Sequence, residues 1–501
     1  MDDEKGGIES IMPIKSRQPA RRPRSLDQMP TSALPKTHRR IRLIPSPGRP
    51  AMTLAMILWC AFAPAAESAA HKTSQSRITL FQGATLIDGT GAPARPGMDV
   101  LVEGERILRV LPDSELEPAV RAKAKTIDLR GRFLMPGMID AHVHLATPPN
   151  RRQAEAILRR DLYGGVTAVR DMADDLRPVG ELTRASLVNE IPAPDIYYAA
   201  LMAGPSFFTD ERAGQVSMGG TPGHVPWMQA ITKDSDLSLA VAQAKGTWAT
   251  AIKLYADLPA DLVTRITAEA HRQGLLVWAH ATLYPAKPSD MVGAGVDAIS
   301  HACLLIREPD AHIPGWNEPH ERVDLAPFRG SDHPALARLF KEMVRHGTIL
   351  DATLWAYSAD TASSTTMPPL PPGSCDDAVG GKITGQAYRA GVPIAAGTDF
   401  IGDWTDQWPD VFHELTALAT KAGMPNDAIL QSATLIGARA AGQQRDMGSI
   451  EPGKLANMVA LARNPLVDLK NLRSVLMTVK RGRVFARSAF VPLTKGDITD
   501  R

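Results

Sequence analysis

From residue 139 onward, the sequence repeats one pattern eight times: a short apolar segment, a polar loop and an amphipathic segment. In the amphipathic segments, such as residues 152–162 and 262–271, apolar residues recur at helical spacing. An apolar strand followed by a helix, repeated in this way, predicts an α/β protein with a (β/α)₈ TIM barrel. The predicted strands end near His144, Arg170, Ala200, Tyr255, His280, His301, Thr353 and Asp399.

Segments with strand-like alternation lie on both sides of this repeat. Short half-apolar runs separated by Gly and Pro occupy residues 78–138, and similar runs return in residues 447–490. We therefore expect a small β-sandwich domain built from both segments, with the barrel between them at 139–446.

The first 70 residues have a different composition. Residues 1–50 contain eleven Lys and Arg against five Asp and Glu, and they are rich in Pro. No aromatic residues are interleaved with these basic residues, so we expect a disordered leader and no nucleic-acid binding. Residues 51–70 are mainly apolar and end in small residues, which is typical of a signal peptide, with an uncleaved anchor as the alternative. The expected location is periplasmic or secreted, without stable membrane insertion beyond the leader.

Cysteine is scarce. Cys303 and Cys375 are the only two that remain once the leader is removed. The sequence permits one bridge between them but does not establish it.

Polar residues end several of the predicted barrel strands. His142 and His144 alternate with Val143, so both point to the same face of a strand. The carboxyl ends of barrel strands meet at one mouth, where the chemistry of such barrels takes place. The residues expected to converge there are His142, His144, Lys253, His280, His301 and Asp399. Imidazole and carboxylate groups are metal ligands.

This combination resembles the amidohydrolase superfamily, specifically the branch of imidazolonepropionase-like proteins and metal-dependent Xaa-Pro dipeptidases (prolidases). The resemblance covers roughly residues 78 to 487. The motifs that carry it are PGMIDAHVH at 136–144, GVTAVRDM at 165–172, IK at 252–253, AHA at 279–281, SHA at 300–302, GTD at 397–399 and GSIEPGKLA at 448–456.

The resemblance implies a hydrolase with two divalent metal ions, preferably zinc. In that arrangement His142, His144 and Asp399 bind one ion, His280 and His301 bind the second, and carboxylated Lys253 bridges both. A metal-activated bridging hydroxide would attack the carbonyl carbon, and Asp399 would act as the catalytic general base and then acid. The implied reaction is hydrolysis of an amide C–N bond in a dipeptide or an N-acyl amino acid, and the family often forms homo-oligomers.

Other interpretations remain open at this point. If Lys253 pairs with an acid instead, the chain is a mononuclear deaminase or a hydrolase of cyclic amides or lactones. A metal-free binding or assembly protein is a third possibility. His224, Tyr255 and Tyr284 are the candidate substrate-binding residues.

Arg170 is expected to pair with Asp171 or Asp174 rather than with substrate.

Overall fold

The computed structural model describes residues 78–358, 374–399 and 406–494, so the predicted leader and signal segment lie outside the described residues. The strands are β1 Ile78–Leu86, β2 Arg95–Glu103, β3 Arg106–Pro112, β4 Lys125–Asp128, β5 Phe133–Pro136, β6 Met138–Val143, β7 Val166–Asp171, β8 Asp195–Ala203, β9 His224–Val225, β10 Met228–Ala230, β11 Ala251–Leu254, β12 Leu276–His280, β13 Ala298–Ser300, β14 Ile349–Asp351, β15 Ile394–Ala395, β16 Met458–Leu461, β17 Val475–Lys480 and β18 Arg483–Ala486.

The helices alternate with the barrel strands. They are α1 Pro118–Lys123, α2 Arg151–Tyr163, α3 Leu176–Leu187, α4 Glu211–Val216, α5 Leu237–Gly246, α6 Ala260–Arg272, α7 Pro288–Gly293, α8 Ala326–Arg329, α9 Pro334–His346, α10 Asp377–Arg389, α11 Val411–Thr420, α12 Asn426–Ser432 and α13 Leu435–Ala440. Across the described ranges, no helix has both the length and the apolar character needed to cross a membrane.

Eight parallel strands form the predicted barrel. Their order is β6, β7, β8, β11, β12, β13, β14 and β15, with each strand paired to the next. The barrel closes where the Ala141 N–H donates to the carbonyl of Ala396 at 2.8 Å. The predicted (β/α)₈ fold is therefore confirmed.

The last barrel strand ends earlier than expected. β15 stops at Ala395, although the apolar run continues towards Asp399. Beyond β15 the chain hydrogen bonds with β6 instead, and the Asp399 N–H donates to the carbonyl of His142 at 2.9 Å. Asp399 itself has a positive φ of 47°, which is incompatible with a continuing strand.

The amphipathic segments form helices because of their spacing and their ends. In α9, Leu336, Leu339, Phe340 and Met343 are buried, which is the period expected of one helical face. The helix ends at Gly347, whose left-handed conformation (φ 74°) is a common way to stop a helix. Predicted helices at 152–162 and 262–271 correspond to α2 and α6.

The two terminal segments meet in one eight-stranded sheet. Its order is β18, β17, β16, β5, β1, β2 and β3, and β4 also pairs with β1. The link between the segments is the antiparallel pair β16 and β5. Neighbouring residues of β1, Leu80 and Phe81, belong to different buried clusters, so both faces of this strand are covered.

A disulfide joins Cys303 and Cys375, with 5.6 Å between the Cα atoms. Cys303 lies two residues after His301, and Cys375 shortly precedes α10. The bridge therefore links the segment that follows β13 to the segment that precedes α10.

Candidate metal centre

The six residues predicted as metal ligands lie together at one mouth of the barrel. His142 lies on β6, Lys253 on β11 and His280 at the end of β12. His301 directly follows β13. All six line one cavity of about 140 Å³. This convergence follows from the parallel barrel, in which every strand delivers its carboxyl end to the same side.

The first half of the centre consists of His142, His144 and Asp399. One ligand atom from each residue lies within 4.8 Å of the other two. The Nε2 atoms of both histidines lie 3.1 Å from Oδ1 of Asp399. The backbone after β6 is held by hydrogen bonds from the Leu145 and Ala146 N–H groups to buried carboxylates.

Buried carboxylates also orient the two imidazoles. Nδ1 of His142 lies 2.8 Å from Oδ2 of Asp351, and Nδ1 of His144 lies 2.7 Å from Oδ1 of Asp174. A carboxylate can only accept, so each Nδ1 donates and each Nε2 is the atom directed at the centre. This is the arrangement that commonly fixes the tautomer of a metal-binding histidine.

Asp351 is the hub of the network beneath the centre. Its Oδ2 accepts hydrogen bonds from Ser300 Oγ at 3.0 Å and from Arg170 Nη2 at 2.9 Å, as well as from His142. Ser300 in turn accepts from Nζ of Lys253 at 3.4 Å. The guanidinium of Arg170 lies 4.6 Å from the centre of the Trp278 ring. Arg170 is therefore a structural residue, as expected.

The prediction that Arg170 pairs with Asp171 or Asp174 was wrong. Asp171 and Asp174 are engaged elsewhere, because they hold the backbone after β6 and the ring of His144. Arg170 points into the barrel and reaches Asp351, 181 residues away.

The second half of the centre consists of His280 and His301, whose ring centres are 4.5 Å apart. Its support is different in kind. The ring of Tyr255 lies 4.0 Å from that of His280, and Nδ1 of His301 hydrogen bonds with Oγ1 of Thr353 at 2.9 Å. His301 has a positive φ of 76°, and its N–H donates to the carbonyl of Asp351.

The protonation states of the two halves diverge. Burial alone would lower the pKa of His144, but the charges and hydrogen bonds of Asp174 and Asp399 hold it well above its usual value. Burial lowers the pKa of His280 well below its usual value, and it lowers the pKa of His301 to about 3. Burial opposes ionisation of Asp399, yet His142 and its neighbours hold the pKa of that carboxyl well below its usual range.

Lys253 is almost fully buried, with 1% of its surface exposed. Burial lowers the pKa of its amine to about 7, against the attraction of Asp351 and with the help of Arg170. A neutral amine is thus available near neutral pH.

The structure places the three predicted substrate-binding residues differently. Tyr255 lines the cavity. His224 is exposed on β9 and is not among the described residues lining it. Tyr284 stacks on His320, with 4.2 Å between ring centres, and it also lies outside that set.

The charged residues Asp174, Asp351 and Arg212 of the site were not predicted as functional. Asp351 ends the seventh barrel strand, so the rule that polar residues at strand ends face the mouth would have found it. Arg212 lines the cavity from α4, and no strand pattern indicates it.

His142, His144 and Asp399 fit a divalent metal ion, because one imidazole or carboxylate ligand atom from each lies within 4.8 Å of the other two. Lys253 cannot ligate a cation as an ammonium, whereas an anionic carbamate formed on its neutral amine could. A family model described as "Amidohydrolase family" matches residues 133–485. The chain belongs to the amidohydrolase family. The predicted membership is confirmed.

Individual relatives of this amidohydrolase agree with the assignment. It is 49% identical to an N-acyl-D-aspartate deacylase from Alcaligenes xylosoxydans xylosoxydans over 65 residues, 13% of this chain and 12% of the relative. It is 37% identical to an imidazolonepropionase from Anaeromyxobacter sp. (strain K) over 95 residues, 17% of this chain and 23% of the relative. The matches therefore span less than a quarter of these relatives.

A solved structure of a Xaa-Pro dipeptidase with bound methionine superposes with a TM-score of 0.63 at 22% identity, covering 82% of this chain and 100% of that one. At this identity the likeness establishes the shared fold.

Proposed function

We propose that this amidohydrolase hydrolyses an amide C–N bond in a dipeptide or an N-acyl amino acid, using two divalent metal ions. The observation that carries the proposal is the meeting of all six predicted ligands at the wall of one cavity. The same cavity has apolar walls, which suit an organic substrate.

His142, His144 and Asp399 would hold one ion, and His280 and His301 the other. Zinc suits these ligands. When bound, the metal ions supply Lewis-acid polarisation of the amide carbonyl and activation of water at neutral pH.

Lys253 would bridge the two ions after carboxylation. Its neutral amine nitrogen forms a bond to the carbon of CO₂ and releases one proton, which leaves an anionic carbamate. Support comes from the burial of this side chain, which lowers the pKa of the amine to about 7 and so provides the nucleophilic form.

Asp399 would move the proton of the reaction. Its carboxylate lies between the two halves of the centre, 3.1 Å from His144 Nε2 and 3.5 Å from His301 Nδ1. In the ionised form favoured by its neighbours, it can accept a proton from water and return it to the nitrogen of the leaving amine.

The compact cluster of His142, His144 and Asp399 also favours a second candidate, a mononuclear deaminase or a hydrolase of cyclic amides or lactones. In that case Lys253 stays an amine, hydrogen bonded to Ser300.

Metal analysis of zinc-loaded protein separates the two candidates. We expect about two ions per chain for the unmodified protein, and about one ion with loss of amide hydrolysis for Lys253→Ala. Lys480→Ala is the matched control, because Lys480 is equally buried (1% exposed) but lies in the terminal sheet. Fewer than one ion per chain, with unchanged activity in Lys253→Ala, would reject the binuclear proposal.

The substrate is tested with a panel of dipeptides, N-acyl amino acids, cyclic amides and lactones. Turnover of dipeptides or N-acyl amino acids supports the first candidate. Turnover restricted to lactones or cyclic amides supports the second.

We also propose that the chain works outside the cytoplasm. The disulfide between Cys303 and Cys375 supports this location, because such bonds persist mainly in oxidising compartments.

A further inference from the structure

The segment that follows β8 builds one side of the cavity. Phe207 precedes α4, Val216 ends α4 and Met228 begins β10, and all three line the cavity. Met172 and Leu201 extend the same apolar wall. A substrate group that lies here meets hydrocarbon rather than water.

Arg212 interrupts this apolar wall. Its side chain lines the cavity and is 22% exposed. Nε and Nη2 donate to the two oxygens of Asp210 at 3.0 and 2.7 Å, and Nη1 donates to the hydroxyl of Tyr255 at 3.2 Å. A guanidinium has five N–H donors, so two remain for a ligand. Tyr255 in turn contacts the ring of His280, which places Arg212 close to the metal centre.

The pairing of Arg212 with Asp210 does not by itself indicate a function, because the chain uses it elsewhere. Arg130 makes the same pair of contacts with Asp128, from its Nε and Nη2. That guanidinium belongs to a side chain that is 67% exposed in the turn after β4, and Arg130 is not among the residues that line the cavity. The pairing therefore orients a guanidinium locally. Arg212 differs from Arg130 because its side chain lines the cavity.

Within the described part of the cavity wall, Arg212 is the one arginine and Lys253 the one lysine. Lys253 is committed to the centre. An anionic group that enters an apolar cavity is strongly disfavoured unless a partner of opposite charge receives it. A pre-oriented guanidinium is well suited to receive a carboxylate.

We propose that Arg212 binds the carboxylate of the substrate, and that the segment after β8 receives a large apolar side chain. The substrate class is then an N-acyl amino acid or dipeptide with a free carboxylate and an apolar side chain, and neutral amides are poor substrates. This inference rests on the proposed amide hydrolysis and narrows it.

The test compares two probes that share the scissile acetyl–nitrogen bond: N-acetyl-phenylalanine and N-acetyl-phenylalaninamide, each as both enantiomers. They are offered to the zinc-loaded full chain and to Arg212→Gln, Arg212→Lys and Arg130→Gln. We expect Arg212→Gln to lower kcat/KM for the acid about 100-fold, mainly through KM, because a buried charge partner is lost. The amide should be cleaved as before, Arg212→Lys should recover part of the loss, and Arg130→Gln should behave like the unmodified protein.

Equal cleavage of acid and amide by the unmodified protein would overturn the inference, as would an equal loss for both probes in Arg212→Gln. In those cases amide hydrolysis itself still stands. If neither probe is cleaved, amide hydrolysis fails for this class, and the shift in melting temperature on adding each probe decides the inference. A shift specific to the acid and absent in Arg212→Gln supports it, and no such shift overturns it.

Discussion

The two halves of the centre use the same residue type in opposite electrostatic settings. In the first half, buried carboxylates hold Nδ1 of both His142 and His144. In the second half, His280 contacts an aromatic ring and His301 a hydroxyl. The carboxylates raise the pKa of His144, whereas burial lowers those of His280 and His301.

This difference matters because a metal ion binds the neutral imidazole. His280 and His301 are already neutral near pH 7, so they can ligate without releasing a proton. His144 must release its proton first, but its carboxylate partner then makes it a better oriented ligand. Metal binding to His144 in the first half therefore requires release of a proton near pH 7, whereas His280 and His301 in the second half need no such release.

The largest expected effect comes from the residue that both halves share. Asp399→Ala removes a proposed ligand that is also the proposed proton carrier, so we expect kcat to fall on the order of 10³-fold or more. Steady-state kinetics on a cleaved amide measures this change. Asp332→Ala, a surface carboxylate paired with Arg389, is the control. A loss of less than tenfold would show that neither half depends on Asp399.

The next largest effect is expected from the carboxylates that orient His142 and His144. Asp351→Asn should weaken zinc binding about 10- to 100-fold, because the partner that fixes the ring of His142 loses its charge. Competition with a chromophoric chelator measures the affinity. Asp174→Asn tests the same relation for His144, at a site away from the ion pair of Arg170. Unchanged affinity in both variants would contradict the distinction between the halves.

After removal of metal, the halves should give opposite dependence of stability on pH. The pKa of His144 is raised in the folded state, so its contribution is fully present below about pH 6.5 and is lost as the pH rises through the folded value. The pKa of His301 is lowered to about 3, so folding becomes more favourable as the pH rises from about 3 to 6.5.

Urea unfolding of His144→Gln and His301→Gln, from about pH 3 to above pH 6.5, measures how each histidine changes the free energy of unfolding. We expect each change to be on the order of 1 kcal/mol or more. His144→Gln should lack the stabilisation that His144 gives the unmodified protein at low pH. His301→Gln should lack the destabilisation that His301 causes at low pH. The same slope in both variants would mean that the two environments do not differ.

The smallest effect is expected from the hydroxyl of the second half. Thr353→Val removes a neutral hydrogen bond to His301, worth about 1 kcal/mol, so zinc affinity should fall about fivefold or less. The chelator competition that serves for Asp351→Asn applies here too. A loss as large as that of Asp351→Asn would show that hydroxyl and carboxylate partners orient the ligands equally well.

Much of the site could be predicted from local sequence. His142 lies on β6 and His144 directly follows this strand, and His280 and His301 end or follow neighbouring strands, so the period of a strand and the direction of a parallel barrel bring them together. Their partners were harder to predict. Asp351 is 209 residues from His142, and no local pattern relates the two.

Prediction of the substrate-binding residues from local sequence was limited in the same way. Tyr255 lies two residues from Lys253, directly after β11, and it lines the same cavity as Lys253. His224 and Tyr284 were proposed from loop motifs, and in the structure neither is among the residues that line the cavity. Arg212 and His224 both lie in the segment that follows β8, but only Arg212 lines the cavity.

The sequence by itself determined the eight strand–helix units and the six residues at the mouth, because periodicity and strand direction are local properties, and its motifs indicated the family by resemblance. The tertiary structure alone decided which histidines have Nδ1 held by a buried carboxylate and which contact a hydroxyl or an aromatic ring instead. It also decided that Arg212, among arginines with the same local pairing, faces the cavity. Burial and charge depend on neighbours that are distant along the chain, and these set the protonation state, orientation and reach of each group.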